Sequence, residues 1–337
     1  MPLKSIRQAI AGAIRDEMRN DGRVFVIGED VSGGAGCARE QQDVTGGVFG
    51  VTKGLLTEFG PERVIDTPIS ETAILGAALG AAMVGLRPIV DLMFADFIGV
   101  CFDQIFNQAA KTHYMSGGSA RAPMVIRAAM GAGLSAGAQH SQTIYSLVAS
   151  VPGLKCVLPS NAYDAYGLMT SAIRDDDPVV FFEHKALYGA TCEVPDAPYA
   201  IPLGKAVLTR EGRDVTMVTC GAMVAIANAA ADMLAREGIG ADVIDLRSIS
   251  PLDTETILAS VVRTGRVVVV DEAPPRCGLA ADIAGLVAQH AFRSLKAPVM
   301  QITPPETPVP FAPALEKLYL PDAQRVYEAA RENLRFA

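Results

Sequence analysis

The sequence has few of the features that mark secreted, metal-binding or membrane proteins. Its six cysteines form no Cys-x-x-Cys pair, which disfavours a zinc site or a disulfide framework and predicts reduced, buried thiols in a cytoplasmic protein. The charge-free apolar stretch at residues 72–86 is shorter than the ~20 residues of a bilayer-spanning helix. We therefore expect no membrane segment, and the start Met1-Pro2-Leu3-Lys4 predicts no secretory signal or transit peptide.

Basic residues are also in the minority. Lysine and arginine number 29 against 37 aspartates and glutamates, which gives a net charge of −8 and an isoelectric point near 5.1. This balance disfavours a nucleic acid or an anionic membrane as the partner. Half of the residues are hydrophobic, so the chain can bury a large core.

Several common catalytic motifs are missing. The Gly-x-Ser-x-Gly pattern does not occur, and no Ser/His/Asp pattern supports a hydrolase. The glycine-rich segment at residues 131–142 does not end in the Gly-Lys-Ser/Thr of a P-loop. It is also not a dinucleotide-binding fingerprint, because Gly137 comes one position too late after Gly131 and Gly133.

What the sequence does contain is an alternation of short β-rich runs and longer helical patterns, which predicts an α/β fold with parallel sheets. The alternation occurs in two blocks, at residues 1–184 and 204–337. Residues 185–203 hold a glycine and several prolines with little periodicity, so we predict a linker there. The run after Asp30 is rich in glycine, glutamine and aspartate and predicts a functional or partner-facing loop.

Glu71 is the first candidate catalytic residue. It follows a short predicted strand and Ser70, so one interpretation is a first-turn acid that the helix dipole stabilises behind a serine N-cap. The other interpretation is a ligand-binding carboxylate, because open α/β sheets bind ligands at the carboxyl ends of their strands. The apolar neighbours Ile69 and Ile74 would suit such a carboxylate to proton exchange.

His140, Phe97 and an acidic run are further candidates, each with two interpretations. His140 ends a glycine-rich run and is either a core or capping imidazole or a proton donor near a ligand. Phe97 is either a core aromatic or a platform for a flat ligand.

The run Asp175-Asp176-Asp177 lies at a helix end, where the dipole disfavours acids. That conflict indicates either a solvated turn or a bound cation.

A series of short motifs in order along nearly the whole chain resembles the beta subunits of the thiamine-diphosphate-dependent first component of 2-oxo-acid dehydrogenase complexes. They include Asp66-Thr67-Pro68-Ile69-Ser70-Glu71, Gly85-Leu86-Arg87-Pro88, Phe102-Asp103-Gln104-Ile105, Ala138-Gln139-His140-Ser141-Gln142, Pro152-Gly153-Leu154-Lys155 and Asp245-Leu246-Arg247-Ser248. Within this family, Phe94-Ala95-Asp96-Phe97 and residues 303–311 look most like the acetoin dehydrogenase branch.

The resemblance implies a fold, a cofactor and partners. It implies a pyrimidine-binding-type parallel-sheet domain followed by a transketolase C-terminal-type α/β domain. It also implies thiamine diphosphate shared with an alpha subunit in an α2β2 heterotetramer. The family's alpha subunit holds the magnesium ion through Gly-Asp-Gly and Asn-Asn strings, and neither string occurs here. This chain would therefore carry only the half of the site that holds the aminopyrimidine.

Site roles follow from the same motif positions. Glu71 matches the glutamate that hydrogen-bonds the aminopyrimidine ring nitrogen, Phe97 matches the aromatic that packs on the pyrimidine, and Ile69 is assigned to the same cofactor pocket. His140 matches a histidine near the substrate and lipoyl entrance. A structural potassium site of some relatives matches five residues of this chain, which are Met124, Ala172, Ile173, Asp175 and Asp177. Asp177 stands where a relative has asparagine.

The implied activity is cleavage of acetoin to acetaldehyde, with transfer of the acetyl unit to a lipoyl group of an acyltransferase component. The alternative substrates are pyruvate and a branched-chain 2-oxo acid, since those relatives share most of the motifs. A non-catalytic docking subunit of such a complex is an alternative of another class, and a self-sufficient transketolase-like enzyme is a third.

Overall fold

A computed structural model describes residues 1–33, 43 and 45–336 of the chain. The described residues form two compact units. The first unit comprises Met1–Met130 and Leu147–Leu203, and the second comprises Gly131–Ser146 and Gly204–Ala337. The predicted loop after Asp30 and the cysteine at position 37 fall partly or wholly on residues 34–42 and 44, which lie outside the described residues.

The elements up to residue 193 mix short strands with helices. In chain order they are β1 (Leu3–Ser5), α1 (Ile6–Asn20), β2 (Val24–Glu29), α2 (Leu55–Phe59), β3 (Val64–Thr67), α3 (Glu71–Met83), β4 (Arg87–Phe94), a 3-10 helix (Ala95–Gly99), a π-helix (Gln104–Ala109), α4 (Ala110–Met115), β5 (Val125–Met130), α5 (Tyr145–Ala149), β6 (Lys155–Val157), α6 (Ala162–Arg174), β7 (Val179–His184), a 3-10 turn (Lys185–Leu187) and β8 (Thr191–Glu193).

The main sheet of the first unit is parallel, as the sequence predicts. Its strands lie in the order β6-β7-β5-β4-β2-β3. Strands β5 and β7 are buried along their whole length, which explains their nearly continuous apolar sequence. Helix α1 begins at a capping box between Ser5 and Gln8, and it packs on α6. Because the strands are parallel, the carboxyl ends of β2, β3 and β4 meet at one edge of the sheet.

Two segments of the first unit differ from the sequence-based expectation. The sequence of residues 98–111 has the pattern of a single helix. The structure instead divides this region into the 3-10 helix, the π-helix and α4, and Gly99, a weak helix former, ends the first of these. The predicted linker at residues 185–203 packs within the unit. Strand β8 pairs antiparallel with β1, Val194 and Ile201 are buried, and the Tyr199 ring stacks on two tyrosines of α6.

The second unit has its own sheet and core. Its elements after residue 203 are β9 (Val207–Arg210), β10 (Val215–Thr219), α7 (Met223–Ala235), β11 (Ala241–Asp245), β12 (Ser248–Ser250), α8 (Thr254–Thr264), β13 (Val267–Val270), α9 (Leu279–His290), a 3-10 turn (Phe292–Ser294), β14 (Met300–Ile302), α10 (Pro313–Tyr319) and α11 (Ala323–Leu334). The sheet order is β14-β13-β10-β11-β9, with β9 antiparallel to its neighbour and the other pairs parallel.

Both units therefore confirm the α/β fold class. Residues 304–313 are rich in proline and predict a turn. Helix α10, which the sequence does not predict, follows this run and begins at Pro313, where a proline costs no hydrogen bond. In the part of the chain that the structure describes, a search for a helix able to cross a bilayer finds none.

Candidate functional site

Glu71 lies at the edge of the first unit's sheet where the strand ends meet. It is the first residue of α3, four residues after the carboxyl end of β3, and its side chain is half-buried. Ser70 occupies the N-cap position, but its hydroxyl does not accept a helix N–H and donates instead to the carbonyl oxygen of Pro68 at 3.1 Å. The predicted side-chain cap is therefore wrong, although the predicted place of Glu71 is correct.

The charge of the Glu71 carboxylate raises the pKa of two other ionisable groups, Cys101 and Glu29. Burial raises the pKa of the Cys101 thiol to about 12, and the nearby Glu71 charge adds to this. Burial also raises the pKa of Glu29, at the end of β2, with further contributions from Asp30 and Glu71. Cys101 is consequently a neutral thiol, and Glu29 keeps a proton to higher pH than an ordinary glutamate. The strand ends thus bring the carboxylates of Glu29 and Glu71 to one polar area.

Phe97 lies beside this area, in the 3-10 helix that follows β4. Its ring packs edge-on against Phe94 with centroids 5.6 Å apart, and its carbonyl oxygen accepts a bond from the Cys101 thiol at 3.4 Å. The charge of Glu71 acts on the Cys101 thiol, and the main chain of Phe97 accepts a bond from that thiol, while the packing of the Phe97 ring on a cofactor stays a prediction. Ile69 is 75% exposed on this chain, and its assignment to a cofactor pocket stays a prediction.

A buried ion network supports the same sheet edge, and the sequence reading did not identify it. Arg127 donates two bonds to the carboxylate of Glu183, at 2.7 and 2.9 Å, and one to Asp91 at 2.9 Å. Tyr188 donates its hydroxyl to Glu183 at 2.8 Å. Burial lowers the pKa of Arg127, but the carboxylates of Glu183 and Asp91 outweigh burial and raise it, so the guanidinium stays charged. The sequence does contain a signal for this network, because Arg127 and Glu183 are charged residues within the otherwise apolar strands β5 and β7.

The network borders a small cavity that also reaches Glu29. The cavity measures about 10 Å³, and its walls include Glu29, Asp91, Arg127, Phe49 and Tyr188. This volume is about that of one water molecule, and polar groups surround it. The polar area next to Glu71 is therefore continuous with a buried, charged layer of the sheet.

His140 is carried by the second unit, in the glycine-rich segment at residues 131–146. Its side chain is half-buried, and its backbone N–H bonds the Gly137 carbonyl at 3.4 Å. Gly131, Gly133 and Gly137 have φ angles of 90°, 104° and 76°, a conformation that glycine permits at no steric cost. Its proton-transfer role stays a prediction.

Three of the five residues predicted to bind potassium contact cationic side chains of this chain. Lys155 contacts the carboxylates of Asp175 and Asp177 at 2.7 and 3.1 Å. Arg87 donates to the carbonyl oxygens of Ile173 and Asp175 at 3.1 and 2.8 Å. The acidic helix end is therefore neutralised by Lys155 and Arg87, a third explanation that the sequence reading did not consider.

The other two predicted potassium ligands take part in backbone bonds. The carbonyl oxygen of Met124 accepts the N–H of Val179 at 3.0 Å, and that of Ala172 accepts the N–H of Asp175 at 3.4 Å. Across the described residues, no group of three or more histidine, cysteine, aspartate or glutamate side chains is placed to hold a metal ion.

Comparison with known proteins identifies the family. Residues 4–191 match the transketolase pyrimidine-binding domain, and residues 204–326 match the transketolase C-terminal domain. The acetoin:2,6-dichlorophenolindophenol oxidoreductase subunit beta of Cupriavidus necator is 56% identical over 331 residues, 98% of this chain and 97% of that protein. The chain belongs to the family of acetoin and 2-oxo-acid dehydrogenase beta subunits. The resemblance read from the motifs is thereby confirmed.

Other relatives of this dehydrogenase beta subunit agree with that assignment. The Bacillus subtilis protein of the same description is 53% identical over 98% of this chain and 97% of its own length. A pyruvate dehydrogenase E1 beta subunit and a 2-oxoisovalerate dehydrogenase beta subunit from Bacillus subtilis are 46% and 42% identical. A solved structure described as a split-gene transketolase, an inactive beta4 tetramer, matches with a TM-score of 0.77 and 25% identity over 98% of both chains.

The cysteines of this beta subunit only partly follow the expectation of buried thiols. Cys101, Cys156 and Cys220 are buried, whereas Cys192 is half-buried and Cys277 is exposed. All five are free thiols. Burial explains the inert character of Cys156, whose thiol pKa it raises above the usual range.

Proposed function

We propose that this chain is the beta subunit of a thiamine-diphosphate-dependent acetoin dehydrogenase. The enzyme would cleave acetoin to acetaldehyde and transfer the acetyl unit to a lipoyl group of a separate acyltransferase component in the cytoplasm. The observation that carries the proposal is the similarity over nearly the full length to acetoin oxidoreductase beta subunits, at 53% and 56% identity. Pyruvate and branched-chain dehydrogenase subunits are less similar, at 46% and 42%.

The residues at the sheet edge fit the aminopyrimidine half of the cofactor. Glu71 offers a half-buried carboxylate at the start of α3, and Phe97 follows the end of the neighbouring parallel sheet strand β4, in the 3-10 helix whose backbone carbonyl accepts a bond from the Cys101 thiol. When bound, thiamine diphosphate supplies an acidic ring carbon and an electron sink for carbon–carbon cleavage. Glu71 would hold the pyrimidine ring through a hydrogen bond to its ring nitrogen and share a proton there, and Phe97, with Ile69, would pack against the ring and exclude water.

The second half of the site is assigned to an alpha subunit. Several large apolar side chains are exposed on the first unit, which supports a partner there; they are Ile69 (75%), Met83 (49%), Val84 (81%), Val100 (62%), Tyr114 (87%) and Met115 (78%). The alpha subunit would bind the diphosphate and magnesium in an α2β2 heterotetramer. An inactive beta4 tetramer of a split-gene transketolase is the kind of assembly expected of beta chains alone.

His140 is assigned to proton transfer at the substrate. His140 is half-buried, so its imidazole has partial access to solvent, and its backbone follows three glycines with positive φ angles. Histidine suits this role because its proton exchanges near neutral pH. His140 would therefore supply or remove the proton on the reacting oxygen of the substrate, or supply the proton to the sulfur that is released when the lipoyl disulfide is reduced.

The proposal is tested with the beta chain reconstituted with its alpha subunit. Glu71→Gln is compared with Glu62→Gln, which changes an exposed carboxylate of the same unit. We expect Glu71→Gln to assemble normally but to lose at least about 100-fold in acetoin-dependent dye reduction, within the range of acid–base catalysis. The control should retain full activity. Full activity of Glu71→Gln would refute its role and favour a docking subunit.

Two further measurements separate the remaining alternatives. Acetoin and pyruvate are compared as substrates for lipoyl acetylation by the α2β2 enzyme, and faster turnover of pyruvate or a branched oxo acid would overturn the substrate assignment. Cofactor binding is measured on the isolated beta chain by calorimetry. We expect it to be weak, and tight binding by the beta chain alone would favour a self-sufficient transketolase-like enzyme.

Potassium binding at Asp175 and Asp177 stays a proposal of its own. Lys155 already neutralises these carboxylates, so any potassium would bind mainly to backbone carbonyl oxygens. The thermal midpoint of the α2β2 enzyme is compared in potassium, sodium and choline chloride at equal ionic strength. A midpoint raised by potassium alone supports the site, and equal midpoints remove it.

A further inference from the structure

The segment that carries His140 is held by buried carboxylates from two other parts of the second unit. Asp271 and Glu272 directly follow β13, and Glu316 lies in α10. All three are at most 4% exposed. None of them belongs to a motif that the sequence reading identified, and each bonds a different part of residues 131–146.

Glu316 binds the first turn of the segment with both of its oxygens. Oε1 accepts the N–H of Gly133 at 2.8 Å, and Oε2 accepts the N–H of Ser135 at 2.9 Å and its hydroxyl at 3.2 Å. Gly133 and Ser135 both have positive φ angles, of 104° and 53°. Successive N–H groups in such a turn form a concave anion site. Here the chain's own carboxylate fills that site.

Asp271 and Glu272 hold the two ends of the segment. Glu272 Oε1 accepts the N–H of Ala132 at 2.7 Å and the Thr143 hydroxyl at 3.5 Å. Asp271 accepts the hydroxyl of Tyr145 in a short bond. His140 lies between the contact at Ser135 and the contact at Thr143. Its backbone is therefore fixed on both sides by groups outside its own segment.

Glu316 also has a distinctive place on its helix. Leu315 and Leu318 on α10 are 55% and 75% exposed, whereas Glu316 is 3% exposed and points to the His140 segment. A carboxylate is costly to bury unless its bonds are all made. A buried leucine at this position would pack the helix equally well but would not hold two amide groups in left-handed turns.

We propose that Glu316 is a positioning residue that places His140 for proton transfer by fixing the backbone at Gly133 and Ser135. The inference rests on the proposed function of His140. Because Glu316 acts through the segment, its removal should loosen residues 131–146 and slow the reaction without weakening substrate binding.

The test uses the α2β2 enzyme with Glu316→Gln, and Glu306→Gln as a control that alters an exposed glutamate of the same unit. The amide of glutamine keeps one acceptor but turns an NH2 group toward a backbone N–H. We expect hydrogen exchange of the peptide covering residues 131–146 to rise about tenfold, kcat to fall about tenfold, and KM for acetoin to stay within twofold. The control should change none of these.

A double-variant comparison separates positioning from general stabilisation. In a His140→Ala background, Glu316→Gln should cause no further loss of kcat, because the group that it positions is gone. An equal tenfold loss in both backgrounds would overturn the proposal, as would unchanged hydrogen exchange or unchanged kcat in the single variant. If His140→Ala itself keeps full activity, the proposed role of His140 fails, while increased exchange would still establish the Glu316 contact.

Ser135→Gly serves as a second variant if Glu316→Gln does not fold. Glycine tolerates the φ angle of 53° and removes the whole side chain, including the hydroxyl that bonds Glu316 at 3.2 Å, while the backbone N–H that Glu316 also accepts is kept. We expect a smaller change of the same kind, a two- to threefold rise in exchange and a similar fall in kcat. No change in either quantity would contradict the proposal.

Discussion

Replacing Arg127 by methionine should destabilise the first unit more than any loss of a surface ion pair. Arg127 is 3% exposed and makes three bonds to Glu183 and Asp91, whose side chains are 1% and 18% exposed. Arg127→Met leaves the buried carboxyl group of Glu183 without its arginine partner and with Tyr188 as a hydrogen-bond donor. Removing one partner of a buried ion pair costs about 3–5 kcal/mol. For a unit of this size, that corresponds to a fall of roughly 6–20 °C in its thermal midpoint.

The assay is calorimetric unfolding of the full beta chain, with two comparison variants. Arg121→Met removes an exposed arginine that lies 3.5 Å from Asp176, and we expect a cost below about 1 kcal/mol. Arg127→Met combined with Glu183→Met removes both buried charges and should recover about half of the loss. An Arg127→Met cost no larger than that of Arg121→Met, or a double variant with strictly additive losses, would refute the reasoning.

Two further predictions concern the second unit and a tight turn. Burial raises the pKa of Asp271 from 3.8 to about 6, so its contribution to stability is complete below pH 4 and is lost as the pH rises through 6. The stability advantage of the natural protein over Asp271→Asn should therefore shrink by about 3 kcal/mol between pH 4 and 7, and a constant difference would contradict this. Gly153→Ala would place a Cβ atom on the Ala110 carbonyl oxygen at a φ of 99°, so we expect a loss of more than about 2 kcal/mol. In the control Gly22→Ala, the added Cβ atom meets no atom within 4 Å, so the variant should lose less than about 1 kcal/mol of stability. Equal thermal midpoints for Gly153→Ala and Gly22→Ala would contradict the close contact between Gly153 and the Ala110 carbonyl oxygen.

Local sequence patterns predicted much of the fold because most elements bury a periodic apolar face. Helix α1 and the valine strand β13 occur where their patterns place them. Elements that depend on distant partners were missed. Strands β1 and β8 are three residues each and exist because they pair across the chain, and α10 follows a proline-rich run that reads as a turn. The helix predicted over residues 98–111 failed for a different reason, a local change from 3-10 to π geometry.

The candidate site was only partly predictable from the sequence. Glu71 and His140 belong to recognisable motifs; Glu71 begins α3 as its local pattern indicates, and the place of His140 at a substrate entrance stays a prediction. Arg127 and Glu316 belong to none, because their importance comes from partners 56 and 183 positions away along the chain. A charged residue can be recognised as buried only when its partner is known, because charged residues are mostly exposed. From the sequence alone, Glu316 in the short helix α10 is therefore expected to be a solvated surface residue.

The allocation of residues 131–146 to the second unit constrains how such proteins can be recombined. A chimera joined after residue 203 would take the histidine from one parent and its three carboxylate anchors from the other. An exchange of the second unit between related enzymes therefore has to include residues 131–146 together with residues 204–337, or use parents whose sequences match at these contacts. This holds even though residues 131–146 lie within the sequence of the first unit.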